Sequence, residues 1–262
     1  MPNNKGQLRE DEMIVALNGK KIKELNPNLR EMIENLFGVI EDEKVLKCVK
    51  SKDCIKPDID ITYEGIKMGV SIKSGDASCV HQENLNTFID YLRRSGISER
   101  TIEIVLRHHF GDGTTDGTGK IRKDAADVMY YMKEELREAN DELNENVEFV
   151  IDAVDRLMFQ GVDPLEEKAK AIYVGDVRFG FLATRSQVIK CVSRQRWDYY
   201  NTLHIGPLLI RPHARYAHSE IKSEDSRHRI NAWWPHLFEE LQKISRRYYN
   251  YTPLHKRKRA EW

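Results

Sequence analysis

Lys56-Pro-Asp-Ile-Asp-Ile-Thr-Tyr-Glu-Gly-Ile-Lys-Met-Gly-Val-Ser-Ile-Lys-Ser-Gly75, running on through Val80 into His81-Gln82-Glu83, is the stretch that decides the fold. Ile59, Ile61 and Tyr63 alternate with polar neighbours, and so do Val70 and Ile72. That period of two predicts a pair of short β-strands, with a turn at Glu64-Gly65. Val80, Leu85, Phe88, Ile89 and Leu92 recur at helical spacing, which predicts that a helix follows and stops at Ser95-Gly96.

A hairpin of this kind holds Asp58 at the start of one strand and Lys73 on the next, close enough to share a site, with Glu83 in reach from the following helix. Two carboxylates and an ammonium gathered at a sheet edge repel and lose water, a conflict that a bound divalent cation resolves. Oxygen ligands suit Mg2+, which takes one or two carboxylates and completes its shell with waters and substrate phosphate.

Pro57-Asp58 followed by Ser71-Ile72-Lys73 resembles the PD-(D/E)xK nuclease superfamily, the restriction-endonuclease-like fold. The resemblance implies a mixed α/β core of helix, three strands, helix and a further strand. It also implies a metal-dependent nuclease. The family's usual acid two residues before the lysine is Ser71 here, and one group of type II restriction enzymes with Ser or Thr at that place supplies the acid from the next helix. Glu83 is the candidate replacement, giving Asp58, Glu83 and Glu10 as metal ligands and Lys73 as the remaining catalytic group.

The motif sits in a chain of 262 residues with 40% apolar content, enough for a real core. No apolar run approaches membrane-spanning length and Met1 to Lys20 lacks a signal-peptide core, so a cytoplasmic protein with no membrane partner is expected. Cys48, Cys54, Cys79 and Cys191 form no CxxC pair, which favours reduced thiols over disulfides or zinc.

Lys5 to Gly19 predicts a helix ended by Asn18-Gly19, with Glu10, Met13, Ile14 and Leu17 on one face. On spacing alone Glu10 is either an ion-pair partner or a site residue, and Glu12 competes for the inward position. Lys5-Gly6 with Glu10 is similar to the opening of Holliday-junction resolvases, which implies a place for Glu10 near the metal; the serine those enzymes carry before Pro-Asp corresponds to Ser51. Asn28 to Phe37 predicts a second helix and Lys44 to Lys50 the first strand.

The glycine-rich run Gly111 to Lys120 departs from a Walker motif, with Ile121 where Ser or Thr belongs. It reads either as a surface turn or as a loop whose amides touch phosphate. Lys123 to about Ala171 is acidic and helically periodic, with a break at Gly161 to Pro164. Ile172 to Leu182 predicts a β-hairpin or a strand with a bend at Gly175-Asp176, and His204 to Arg211 another strand. The end of the chain, Ile230 to Tyr251, predicts a helix in its latter part, before the basic tail Lys256 to Arg259.

Three segments are therefore expected: a nuclease core over 1–122, an acidic helical part over 123–170, and a basic α+β part over 171–262. Residues 178–262 carry 17 Lys and Arg against 7 Asp and Glu, leaving 25 against 35 in residues 1–177. A net charge of zero hides that asymmetry. The basic part suits phosphate contacts with double-stranded DNA, through Arg194, Arg196, Arg211, Arg215, Arg227 and Arg229, with Ser71 and Gln82 nearer the motif. Alternatively, these basic faces pair with the acidic helices upstream. Taken together, the resemblance and the charge imply a magnesium-dependent type II restriction endonuclease acting as a homodimer. A junction-resolvase-like nuclease and an inactive nucleic-acid-binding module are the alternatives.

Overall fold

The computed structural model describes residues 5–52, 56–74, 79–119, 123–163, 165, 167–199, 201–213 and 224–251. In chain order its elements are α1 (Lys5–Leu17), α2 (Pro27–Phe37), β1 (Lys47–Lys50), β2 (Ile59–Tyr63), β3 (Ile66–Lys73), β4 (Cys79–Asn84), α3 (Leu85–Arg94) and α4 (Glu99–Phe110). Then come α5 (Ala125–Tyr131), α6 (Lys133–Glu145), α7 (Val147–Asp155), a π-helical turn at Arg156–Gln160, β5 (Ala171–Gly175), β6 (Gly180–Thr184) and α8 (Arg185–Val192). The last are β7 (His204–Ile205), β8 (Leu208–Pro212), α9 (Glu224–Arg227), β9 (Arg229–Trp233) and α10 (Leu237–Tyr251). The fold is mixed α/β, and none of its described helices is long and apolar enough to cross a membrane.

The chain divides into two compact units, and each is built from separate segments. Unit 1 takes Met1–Ser78, Phe159–Cys191 and His236–Trp262; unit 2 takes Cys79–Met158 and Val192–Pro235. This division differs from the three consecutive segments expected. The cause is strand pairing between segments far apart in the chain.

In unit 1 the sheet runs β1-β2-β3-β5-β6. β1, β2 and β3 form an antiparallel meander, β5 lies parallel to β3 with Ser71 beside Ile172, and β6 returns antiparallel to β5. Glu64 and Gly65 take φ of 47° and 80°, the two left-handed positions of a type I′ turn, whose twist matches that of the flanking strands. Helices α1 and α2 bury Met13, Leu17 and Ile33 with Ile59, Ile61, Val70 and Tyr173 in one core. The Asn26 side chain caps α2 by accepting from the Leu29 amide at 2.9 Å, and Pro27 pre-sets its first turn. Helix α10 packs against β5 and β6, where Phe238 meets Phe179 and Phe181.

Unit 2 holds an antiparallel sheet in the order β4-β9-β8-β7. Residues 79–84 are strand, where helical spacing led us to expect helix from Val80. Gln82 pairs with Asn231, a partner that no local pattern reveals, and a register shift between Cys79 and His81 loosens the start of the ladder. The helix begins only at Leu85, capped by Asn84, and stops at Ser95-Gly96 as expected. The short β7 is held by side chains: Asn140 accepts from the His204 amide at 3.0 Å, and Asn144 accepts from the Gly206 amide at 2.7 Å.

Candidate active site

Asp58 stands at the mouth of β2, where the ladder gives way to a side chain. Its amide donates to the Val70 carbonyl at 3.0 Å and its carbonyl accepts from the Ser51 amide at 3.1 Å, so neighbouring backbone grips it on both sides. Its carboxylate then does what a further strand residue would do. Oδ2 accepts the Ile72 amide at 2.6 Å, the Ser71 hydroxyl at 2.9 Å and the Lys73 ammonium at 3.4 Å.

Proline and glycine make this entry possible. A Cβ on Gly69 would lie 2.9 Å from the Pro57 Cβ, closer than side-chain carbons approach, so the bare glycine lets the proline ring seat over β3. Nothing in the alternation of the strand singled Gly69 out. A glycine inside an apolar strand was nevertheless a readable sign of close approach.

Asp58 and Lys73 are half-buried, with side-chain exposures of 23% and 20%, while Ser71 is 1% exposed. All three hydrogen bonds to this carboxylate from described residues fall on Oδ2, none on Oδ1. One carboxylate oxygen beside a lysine can accept a hard cation and leave the ammonium to act on a neighbouring water or phosphate. Ser71, expected as a DNA contact, is buried with its hydroxyl on Asp58.

Glu10 faces the sheet from α1 and its carboxylate meets Lys50 Nζ at 3.1 Å. Glu12 points outward to Arg9, at 2.8 Å, which decides between the two. Neither glutamate has a described contact with Asp58 or Lys73.

Glu83 lies in unit 2 on β4, a strand where a helix was expected. It is 5% exposed and already engaged: Arg156 donates Nη1 to Oε1 at 2.7 Å and Nη2 to Oε2 at 2.6 Å, and His81 Nε2 lies 3.7 Å from Oε1. Burial pushes the Glu83 carboxyl up, but hydrogen bonds and charges from Arg156 and His81 outweigh it and hold the group below its ordinary value. Arg156 opens the π-helical turn and stacks on the Tyr91 ring at 4.5 Å. Sequence reading missed Arg156, whose helical surroundings make it look like one of many surface arginines.

The three carboxylates expected around a metal are therefore each differently occupied, and no three His, Cys, Asp or Glu side chains cluster as a cation set among the described residues. Asp58 Oδ1 fits a magnesium contact of the single-carboxylate kind, completed by waters and a phosphate.

Of the residues expected to touch DNA, Arg194 and Arg196 are exposed and line a cleft of about 760 Å³ in unit 2 beside Trp197 and Val150, with Asp141 and Glu145 also on its wall. Arg211 is exposed over the Trp233 ring at 5.7 Å, Gln82 is exposed on β4, and Arg229 is exposed on β9. Arg227 has a structural duty, donating to the Gly117 carbonyl at 2.8 Å. Arg215 and the basic tail lie outside the described residues.

The glycine-rich loop is tied to itself. Asp112 accepts from the amides of Thr114 and Gly119, Thr114 Oγ1 from the Gly117 amide, and Asp116 from the Thr118 amide. Those four donors are spent within the loop, which suits the surface-turn reading. No family model matches the chain, and no curated protein matches its sequence.

Proposed function

We propose that the protein is a magnesium-dependent endonuclease that hydrolyses phosphodiester bonds in double-stranded DNA, a type II site-specific restriction enzyme working as a homodimer. The observation that carries this reading is the meeting of Asp58 and Lys73 across β2 and β3, on a sheet whose next strand, β5, runs parallel to β3. A meander of three strands extended by a parallel fourth supports the restriction-endonuclease-like core expected from Pro57-Asp58 and Ser71-Ile72-Lys73. Asp58 would hold the ion. Lys73 orients the attacking water or steadies the phosphate oxygen beside it. When bound, the ion stabilises charge on the scissile phosphate and lowers the pKa of its water. Exposed Arg194, Arg196 and Arg211 supply phosphate contacts.

A second reading, an inactive nucleic-acid-binding module, draws on the engagement of Glu83 by Arg156 and of Glu10 by Lys50. Incubating the protein with long unmethylated duplex DNA, in magnesium and in EDTA, beside the Asp58→Ala variant separates the two. Discrete magnesium-dependent bands that vanish in the variant are expected. Salt-sensitive binding without cleavage by the unaltered protein would favour the inactive module, or a branched substrate tested next with a four-way junction.

A further inference from the structure

Resting on the nuclease reading above, we propose that Ser71 is a positioning residue that reserves Oδ1 of Asp58 for the metal by engaging Oδ2. Ser71 replaces the acid expected two residues before Lys73. It therefore changes what the site does, since a second carboxylate would repel Asp58 whereas a hydroxyl donates to it.

The geometry behind this is specific. Ser71 is 1% exposed, so water is not its partner, and its hydroxyl donates to Asp58 Oδ2 at 2.9 Å. The Ile72 amide donates to the same oxygen at 2.6 Å. A carboxylate oxygen has two lone pairs, and these two short bonds occupy both. Lys73, at 3.4 Å, is the longest and most loosely held of the three donors. Oδ2 is thus closed to a cation and Oδ1 is the oxygen left to bind one, while Lys73 stays free to swing toward substrate. Deleting the Ser71 hydroxyl vacates a lone pair that the Lys73 ammonium is nearest to fill, which draws the lysine down and releases the carboxylate to rotate.

The test is a calorimetric titration with Mn2+, standing in for Mg2+, of the unaltered protein and of Ser71→Ala, Ser71→Thr and Asp58→Ala. The unaltered protein is expected to bind Mn2+, Ser71→Ala to bind it about 10- to 100-fold more weakly as outer-shell losses do, and Ser71→Thr to restore the affinity by keeping the hydroxyl. In cleavage assays the half-saturating Mg2+ concentration should rise in Ser71→Ala with DNA affinity in EDTA unchanged. Wild-type Mn2+ affinity in Ser71→Ala, with affinity lost in Asp58→Ala, overturns the role of Ser71 and leaves the nuclease reading standing. Equal binding by Asp58→Ala and the unaltered protein, or none by either, fails the nuclease reading itself. Should Ser71→Ala not fold, Ser71→Cys, similar in size and a weak donor, takes its place in the same titration with the same expected loss.

Discussion

Both arms of Arg156 close on the carboxylate of Glu83, at 2.7 and 2.6 Å, and the same guanidinium lies 4.5 Å over the ring of Tyr91, whose hydroxyl donates to Asp152. The pair braces β4 against the end of α7 inside unit 2. Removing one partner strands a buried charge, so Glu83→Ala should lose about 3–5 kcal/mol of stability in urea unfolding. Glu83→Met with Arg156→Leu should recover much of that loss. Because the carboxylate is spent on Arg156, Glu83→Gln should leave the Mn2+ titration of the protein unchanged.

Stability should fall in two steps as the solution is acidified. His204 is buried, and burial pushes its imidazole below the ordinary value of 6.5 despite the hydrogen bond with the Gly206 carbonyl. Its contribution is present above that value and is lost as pH falls from it through the lowered folded value. Glu83, also lowered, contributes fully above the ordinary carboxyl value of 4.5 and loses its contribution as pH falls below that. Urea midpoints measured from pH 8 to pH 3 should show both declines. His204→Gln should abolish the upper one.

Gly69→Ala places a Cβ 2.9 Å from that of Pro57, and the proline ring cannot retreat without carrying Asp58 with it. A loss of about 1–3 kcal/mol is expected from overpacking, with a disproportionate loss of cleavage in the fraction that folds. Chemical denaturation and initial cleavage rates on the same preparation check both.

Lys73→Ala should keep DNA affinity and lose cleavage by about 100-fold or more, as removal of a group acting on the transferred proton or the phosphate does. Gel-shift and single-turnover assays separate the two quantities. Unchanged cleavage would remove the lysine from the mechanism.

Arg194 and Arg196 make no ion pair with a described residue, which leaves their charges available to phosphate. Replacing both by alanine should weaken binding evenly across DNA sequences and reduce the slope of log affinity against log salt by about 2. An unchanged slope would return these arginines to a purely solvated face.

What could be read from the chain was local. The β2–β3 hairpin showed in the alternation of Ile59, Ile61 and Tyr63 and in Glu64-Gly65, α1 and α2 in their apolar stripes and terminal glycines, and the β5–β6 bend in Gly175-Asp176. Meeting of Asp58 with Lys73 followed from that hairpin. Partners distant in sequence escaped. β4 took its conformation from β9, Glu83 found an arginine 73 positions away, and neither contact leaves a mark on its own neighbourhood. The glycine-rich loop stayed open between two readings because Asp and Thr look the same whether they face a ligand or their own amides.

Ser71 lies beside Ile172, and that pairing has a history in time. While the ribosome adds the hundred or so residues between them, on the order of 5–20 s, the outer edge of β3 stands open with the site-bearing residues on it. An open edge invites strands from other chains. The segments of each unit also alternate along the gene, so neither unit is complete until the last segment has been made. A chain stopped before β9 would leave β4 without its partner, and slow or interrupted synthesis is where aggregation of this protein should first be seen.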